Sequence, residues 1–203
     1  MAKKIIDFAL DLETLSKRPT AAIIEVACKR FDFTDLGDNY VPFSEVVNAT
    51  SCAMYGLSFD EDTCKWWADK KDYEKVRFIK EAQGLREVLG KLSKYIEDAI
   101  SESKADGIRV WCQGTDFDIA ILRNAYRAVY GSDVTPWKYD EVRCARTYIK
   151  ECVRLLDPNL DNCYDYIPKR EGWAKHEALS DCENLIHNVR YVYRKLNEKV
   201  MTA

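Results

Sequence analysis

Two carboxylates, Asp11 and Glu13, close an otherwise apolar run in the stretch FALDLETL at residues 8–15. Read as a strand, the run alternates. Ile6, Phe8, Leu10 and Leu12 share one face, and Ala9, Asp11 and Glu13 share the other. Two carboxylates on one face lie roughly 6.5 Å apart along such a strand, where they repel and are costly to bury. A bound cation would resolve the conflict, and so would a solvated strand end. The pair alone leaves both readings open.

Two further acids and a histidine stand at similar places. Asp118, in WCQGTDFD, projects from the first turn of a helix that follows a strand and a sharp turn. Its spacing from Thr115 also fits a capping box, in which Asp118 would only satisfy backbone N–H groups. Asp181, in HEALSDC, lies near the start of the last helix, where capping is again the plain alternative. If the strands are neighbours, all four acids can converge at one edge of a sheet. The chain has only two histidines. His187 falls inside the last helix, whereas His176 precedes Asp181 by five residues. On one helix that spacing would turn the two side chains about 140° apart. They can serve one site only if His176 sits on the loop or first turn before the helix, which Gly172 and Lys175 upstream favour.

The elements that must hold these residues follow from periodicity. After the first strand, the polar loop TLSKRPT leads into AAIIEVACKRF, a second strand, and Tyr40 to Val47 reads as a weaker third. The short connection suggests an antiparallel start to the sheet. In EAQGLREVLGKLSKYIEDAI the apolar residues Leu85, Val88, Leu89, Leu92, Tyr95, Ile96 and Ala99 follow helical spacing. Residues 108–112 read as a short buried strand, 116–130 and 142–155 as helices, 157–172 as loop, and 177–196 as a last helix. Strands first, then alternating helix and strand, predict an α/β fold with a mixed sheet.

Composition bounds the function. The 203 residues suit one well-packed domain spanning 1–203, and 47% hydrophobic residues suffice for a core. A net charge of -3 argues against gripping duplex nucleic acid on a broad basic surface. It permits a small site at one end of a strand, with metal ions supplying positive charge. No stretch approaches a membrane span, and the apolar run after Lys4 is too short and too acidic for a signal peptide. The eight cysteines contain no CxxC pair, which disfavours zinc and a reactive dithiol. Free thiols fit a reducing, cytoplasmic setting.

Taken in order, DLET, WCQGTDFDIAIL and HEALSD resemble the three motifs of the DEDD superfamily of 3′-to-5′ exonucleases, in its histidine-containing branch. DLETLSKRPTAAIIEVACKRFD, the Trp66–Trp67 pair and PWKYDEVRCARTY further resemble the phage exonuclease A type and a related bacterial exoribonuclease group. The resemblance implies a ribonuclease H-like fold, with a mixed central sheet flanked by helices, and two divalent ions, Mg²⁺ or Mn²⁺. It implies that Asp11 bridges both ions, that Glu13 and Asp181 serve the ion holding the attacking water, and that Asp118 serves the other. His176 matches the general base. The residue types suit the chemistry. Hard cations prefer carboxylate oxygens, and an imidazole of ordinary pKa near 6.5 takes a proton near neutrality.

The implied substrate is the 3′ end of single-stranded nucleic acid, released as nucleoside 5′-monophosphates. DNA is favoured over RNA because the second and third motifs are nearer the phage type. The alternatives are an exoribonuclease of the same fold and, in another class, a binding protein that keeps the fold without catalysis. Among substrate contacts, Thr14 and Leu15 match residues that pack on the terminal nucleotide. Trp66 or Trp67 can stack on a base, one of them facing the groove and the other the core. Arg143 and Arg146, read on one helix face, can bind phosphate or a carboxylate ligand, or simply pair at the surface; Lys17 and Arg18 can touch phosphate, but a solvated loop is the favoured reading. Glu25 interrupts an apolar strand and faces either the site or the sheet edge. The oligomeric state is not legible.

Overall fold

The computed structural model describes residues 3–34, 39–69 and 82–201. Five strands form one sheet in the order β3-β2-β1-β4-β5. They are β1 (Ile5–Thr14), β2 (Ile23–Phe31), β3 (Phe43–Val46), β4 (Gly107–Cys112) and β5 (Val142–Cys144). The first three are antiparallel neighbours, whereas β4 and β5 run parallel to β1. The sheet is therefore mixed, with β1 at its centre.

The alternation along β1 decides what covers each face. Ile6, Phe8, Leu10 and Leu12 join a core with Val26, Cys28 and the apolar sides of α3 (Leu85–Ser103) and α4 (Asp118–Tyr130). Ala9 and Ala27, on the opposite face, are small because α6 (Ala178–Met201) packs over them, and α5 (Ala145–Leu156) packs against α6 in the same core. The result is three layers with helices on both sides of the sheet. Two short helices, α1 (Ala49–Met54) and α2 (Glu61–Ala68), follow β3. Asp60 caps α2, its side chain accepting from the Thr63 N–H at 3.0 Å.

Three local readings need correction. The segment from Val142 begins as strand, not helix: Val142, Arg143 and Cys144 pair with Val110, Trp111 and Cys112, and α5 starts only at Ala145. Pairing at the open edge of β4 overrides a helical pattern that continues smoothly into α5. The middle helix begins at Leu85, after Gln83 bridges to Val47, and Glu81 lies outside the described residues. The third strand is shorter than Tyr40–Val47.

Candidate active site

Three chain segments meet at the end of β1. The first is β1 itself, where Asp11 and Glu13 point to the α6 side, as Ala9 does. Asp11 is paired across the ladder with Ala27 and Glu13 with Glu25, but Thr14 pairs with Ile23, so the register slips by one residue. Such a bulge bends a strand and re-aims its side chains. Glu13 and Glu25, side by side on neighbouring strands, are both buried.

The second segment is the turn from β4 into α4. Asp118 is the first helical residue and only 3% exposed. Phe117 stands at the N-cap position without a side-chain bond, so Thr115 does not cap the helix. The Asp118 carboxylate instead takes backbone hydrogen bonds from Leu12 on β1, from Gly114 and from its own residue. These stitch the turn to the central strand. Burial nevertheless outweighs them and pushes the Asp118 carboxyl up to about 7.

The third segment leads into α6. His176 lies in a turn two residues before the helix, with a left-handed φ of 69° that non-glycine residues seldom adopt. Hydrogen bonds hold this turn. The His176 N–H donates to Asp181 Oδ2 at 2.9 Å, the Trp173 indole donates to Asp181 Oδ1 at 2.6 Å, and the Ala174 N–H donates to Ser180 Oγ at 2.9 Å. A longer bond of 3.5 Å runs from the Ala178 N–H to Glu25. The His176 ring stands edge-on to Trp66 at 4.8 Å.

The outcome is a cluster. One potential ligand atom each from Glu13, His176 and Asp181 lie within 4.8 Å of one another. Asp11 sits beside them, its carboxyl raised well above the ordinary range by burial and then by Asp118, Glu13, Asp181 and Glu25. Among the described residues the Asp11 carboxylate has no hydrogen-bond or ion-pair partner. Asp7, on the same face of the same strand, is buried too, but Arg109 grips it with two bonds of 2.7 Å and Trp111 donates at 2.6 Å. Four carboxylates and an imidazole around an unpartnered acid suit hard divalent cations, so the residues present fit Mg²⁺ or Mn²⁺.

Two recesses open on either side of Asp11 and Asp181. One, of about 530 Å³, is lined by Glu13, Thr14, Trp66, Trp67, Phe117 and His176. The other, of about 540 Å³, is lined by Gln113, Arg146, Tyr164, Lys169, Trp173 and Lys175. Trp66, Trp67 and Phe117 make the first aromatic, and Arg146, Lys169 and Lys175 make the second the more basic of the two.

The remaining sequence expectations divide. Thr14 lines the aromatic recess, and its hydroxyl donates to the Ser16 carbonyl at 2.7 Å. Leu15 does not line it: the side chain packs against the core, and its backbone ties the loop to Ala22 and Asp60. Trp67 is buried, with its indole donating to the Thr14 carbonyl at 3.0 Å, whereas Trp66 is exposed and faces the recess. Arg146 reaches the basic recess, but Arg143, on β5, donates to the Asp140 and Val142 carbonyls. The two arginines therefore share no helix face. Lys17 lines the aromatic recess. Glu25 faces the site, not the sheet edge. Sequence reasoning missed Trp173, whose eight-residue spacing from Asp181 matches no helical or strand period.

A mixed sheet with helices on both faces and acids at the end of its central strand defines an α/β, ribonuclease H-like exonuclease fold. Solved exonuclease I structures share it: an SSB/exonuclease I structure with the inhibitor CFAM (TM-score 0.56, 11% identity) and a zinc-bound E. coli ExoI–ssDNA complex (TM-score 0.53, 12% identity). Each match covers 98% of this chain, which spans less than half of those proteins, 44% and 43%. The family model for the 3′-5′ exoribonuclease Rv2179c-like domain matches residues 7–193, and the chain belongs to that family, within the DEDD exonuclease superfamily. It is also similar to the exodeoxyribonuclease of Enterobacteria phage T4, at 24% identity over 213 residues, covering 94% of this chain and 90% of the relative. Among the described residues, no helix is long and apolar enough to cross a membrane.

Proposed function

We propose that this chain is a metal-dependent 3′-to-5′ exonuclease that shortens single-stranded nucleic acid, DNA in preference to RNA, and releases nucleoside 5′-monophosphates. The observation that carries this reading is Asp11, a carboxylate among four others with no positive partner among the described residues. Asp11, Glu13, Asp118 and Asp181 would hold two divalent ions, Mg²⁺ or Mn²⁺. Bound there, the ions would supply a nucleophilic water at neutral pH and offset charge on the leaving oxygen. His176 accepts the proton from that water. Its turn, fixed through Asp181, sets the distance between base and ligands.

The terminal nucleotide enters the aromatic recess, where Trp66 offers a ring for the base and Thr14 a polar contact for the sugar. The rest of the strand leaves over the basic recess, where Arg146, Lys169 and Lys175 meet phosphates. The catalytic unit is a single domain over residues 1–203. All eight cysteines are free, which supports a reducing, cytoplasmic setting.

The preference for DNA draws on the similarity to an exodeoxyribonuclease. The family's own description, an exoribonuclease domain, favours RNA as the second reading. Strands of one sequence in DNA and RNA, labelled at the 5′ end, test both against Mg²⁺, Mn²⁺ and EDTA. A ladder shortening from the 3′ end and abolished by EDTA is the expected result, faster on DNA. Faster loss of RNA would reverse the sugar preference. No cleavage of either by folded protein with any metal would favour a non-catalytic binding protein.

A further inference from the structure

We propose that Trp173 is a positioning residue for metal binding: its indole N–H fixes the carboxylate of Asp181 in the orientation a cation needs. This rests on the metal-dependent reading above and goes beyond it to a residue outside the acid and histidine set.

Asp181 is held from two sides. Its carboxylate has two oxygens with about four acceptor sites in all. The His176 N–H occupies one site on Oδ2, at 2.9 Å, and the Trp173 indole occupies one on Oδ1, at 2.6 Å. Both donors belong to the loop ahead of α6, and together they fix the plane of the carboxylate. Each oxygen keeps a free acceptor site, and a ligand atom of Asp181 already lies within 4.8 Å of those of Glu13 and His176.

Packing does not account for where Trp173 sits. The indole is 40% exposed and belongs to neither apolar core. It lines the basic recess beside Asp11 and Asp181. A large apolar ring left partly in water, with its only polar hydrogen on Asp181, acts through that hydrogen bond. Without it, Oδ1 is free to turn toward water, and an ion must then bear the entropy of ordering the side chain. Groups that orient metal-ligating carboxylates in this way are worth about 10–100-fold in metal affinity.

The test is Trp173→Phe, which keeps a ring and removes the donor. Mn²⁺ binding to the protein without nucleic acid is followed by electron paramagnetic resonance, beside thermal unfolding without metal. Affinity for Mn²⁺ should fall by about 10–100-fold with no change in metal-free melting temperature. The Mg²⁺ concentration giving half-maximal strand degradation should rise by a similar factor. Wild-type affinity in the variant would overturn the proposal. So would a weaker affinity that comes with a lower metal-free melting temperature, since Trp173 would then serve loop folding. Failure of the wild type to bind Mn²⁺ would instead overturn the metal reading, and this inference with it.

Discussion

Asp7 and Asp11 stand four residues apart on the same face of β1, yet one is fully partnered and the other is ringed by acids. That contrast separates a structural carboxylate from one whose surroundings would suit a cation. The Asp118 carboxyl, raised to about 7 by burial, carries the same message into solution. Its acid form is favoured in the metal-free fold, so its burial penalty is absent below the unfolded value of about 4. The penalty grows as pH rises from there and levels off above about 7, where the folded carboxyl also ionises. The rise in melting temperature produced by Mg²⁺ should therefore be larger at pH 8 than at pH 6; scanning calorimetry at both pH values checks this. His176→Ala should slow single-turnover cleavage by roughly 10²–10⁴-fold with an unchanged circular-dichroism spectrum; an unchanged rate would remove it from the base role. The acids and His176 were legible because their residue types are rare in apolar runs and their motifs are ordered. Trp173 was not, because a hydrogen bond across an irregular loop leaves no period in the sequence.

At the scale of elements, the site is where β1, the β4–α4 turn and the start of α6 end together. The two faces of β1 were readable from strict alternation, and the fold class from the order of strands and helices. The start of β5 was not, since a three-residue edge strand is stabilised by pairing with β4 and not by its own pattern. The Trp66–Trp67 pair shows the limit in another way: helical geometry says that the two rings diverge, and only tertiary packing says which is inside. Trp67 braces α2 against the Thr14 carbonyl. Trp67→Phe leaves that carbonyl without its donor and a small void beside it. The change should cost about 1–3 kcal/mol in urea unfolding, whereas Trp66→Phe should stay within about 0.5 kcal/mol.

For the molecule as a whole, the net charge of -3 and the acids massed at the end of the central strand would repel a polynucleotide. Cations bound there, as proposed, would reverse that sign locally, so binding of strand and of metal should be linked. On the proposed reading, aromatic and basic recesses flanking the same two acids would give a strand a direction across the site. All of this depends on the acids acting as metal ligands, and Asp11 is the residue on which that depends most. The most direct measurement is therefore shortening of a 5′-labelled single strand in Mg²⁺, with release of unlabelled nucleoside 5′-monophosphate followed by chromatography, by wild type and by Asp11→Ala. The account predicts shortening from the 3′ end by the wild type, and no release by a folded Asp11→Ala variant. Near-normal release by that variant would contradict it.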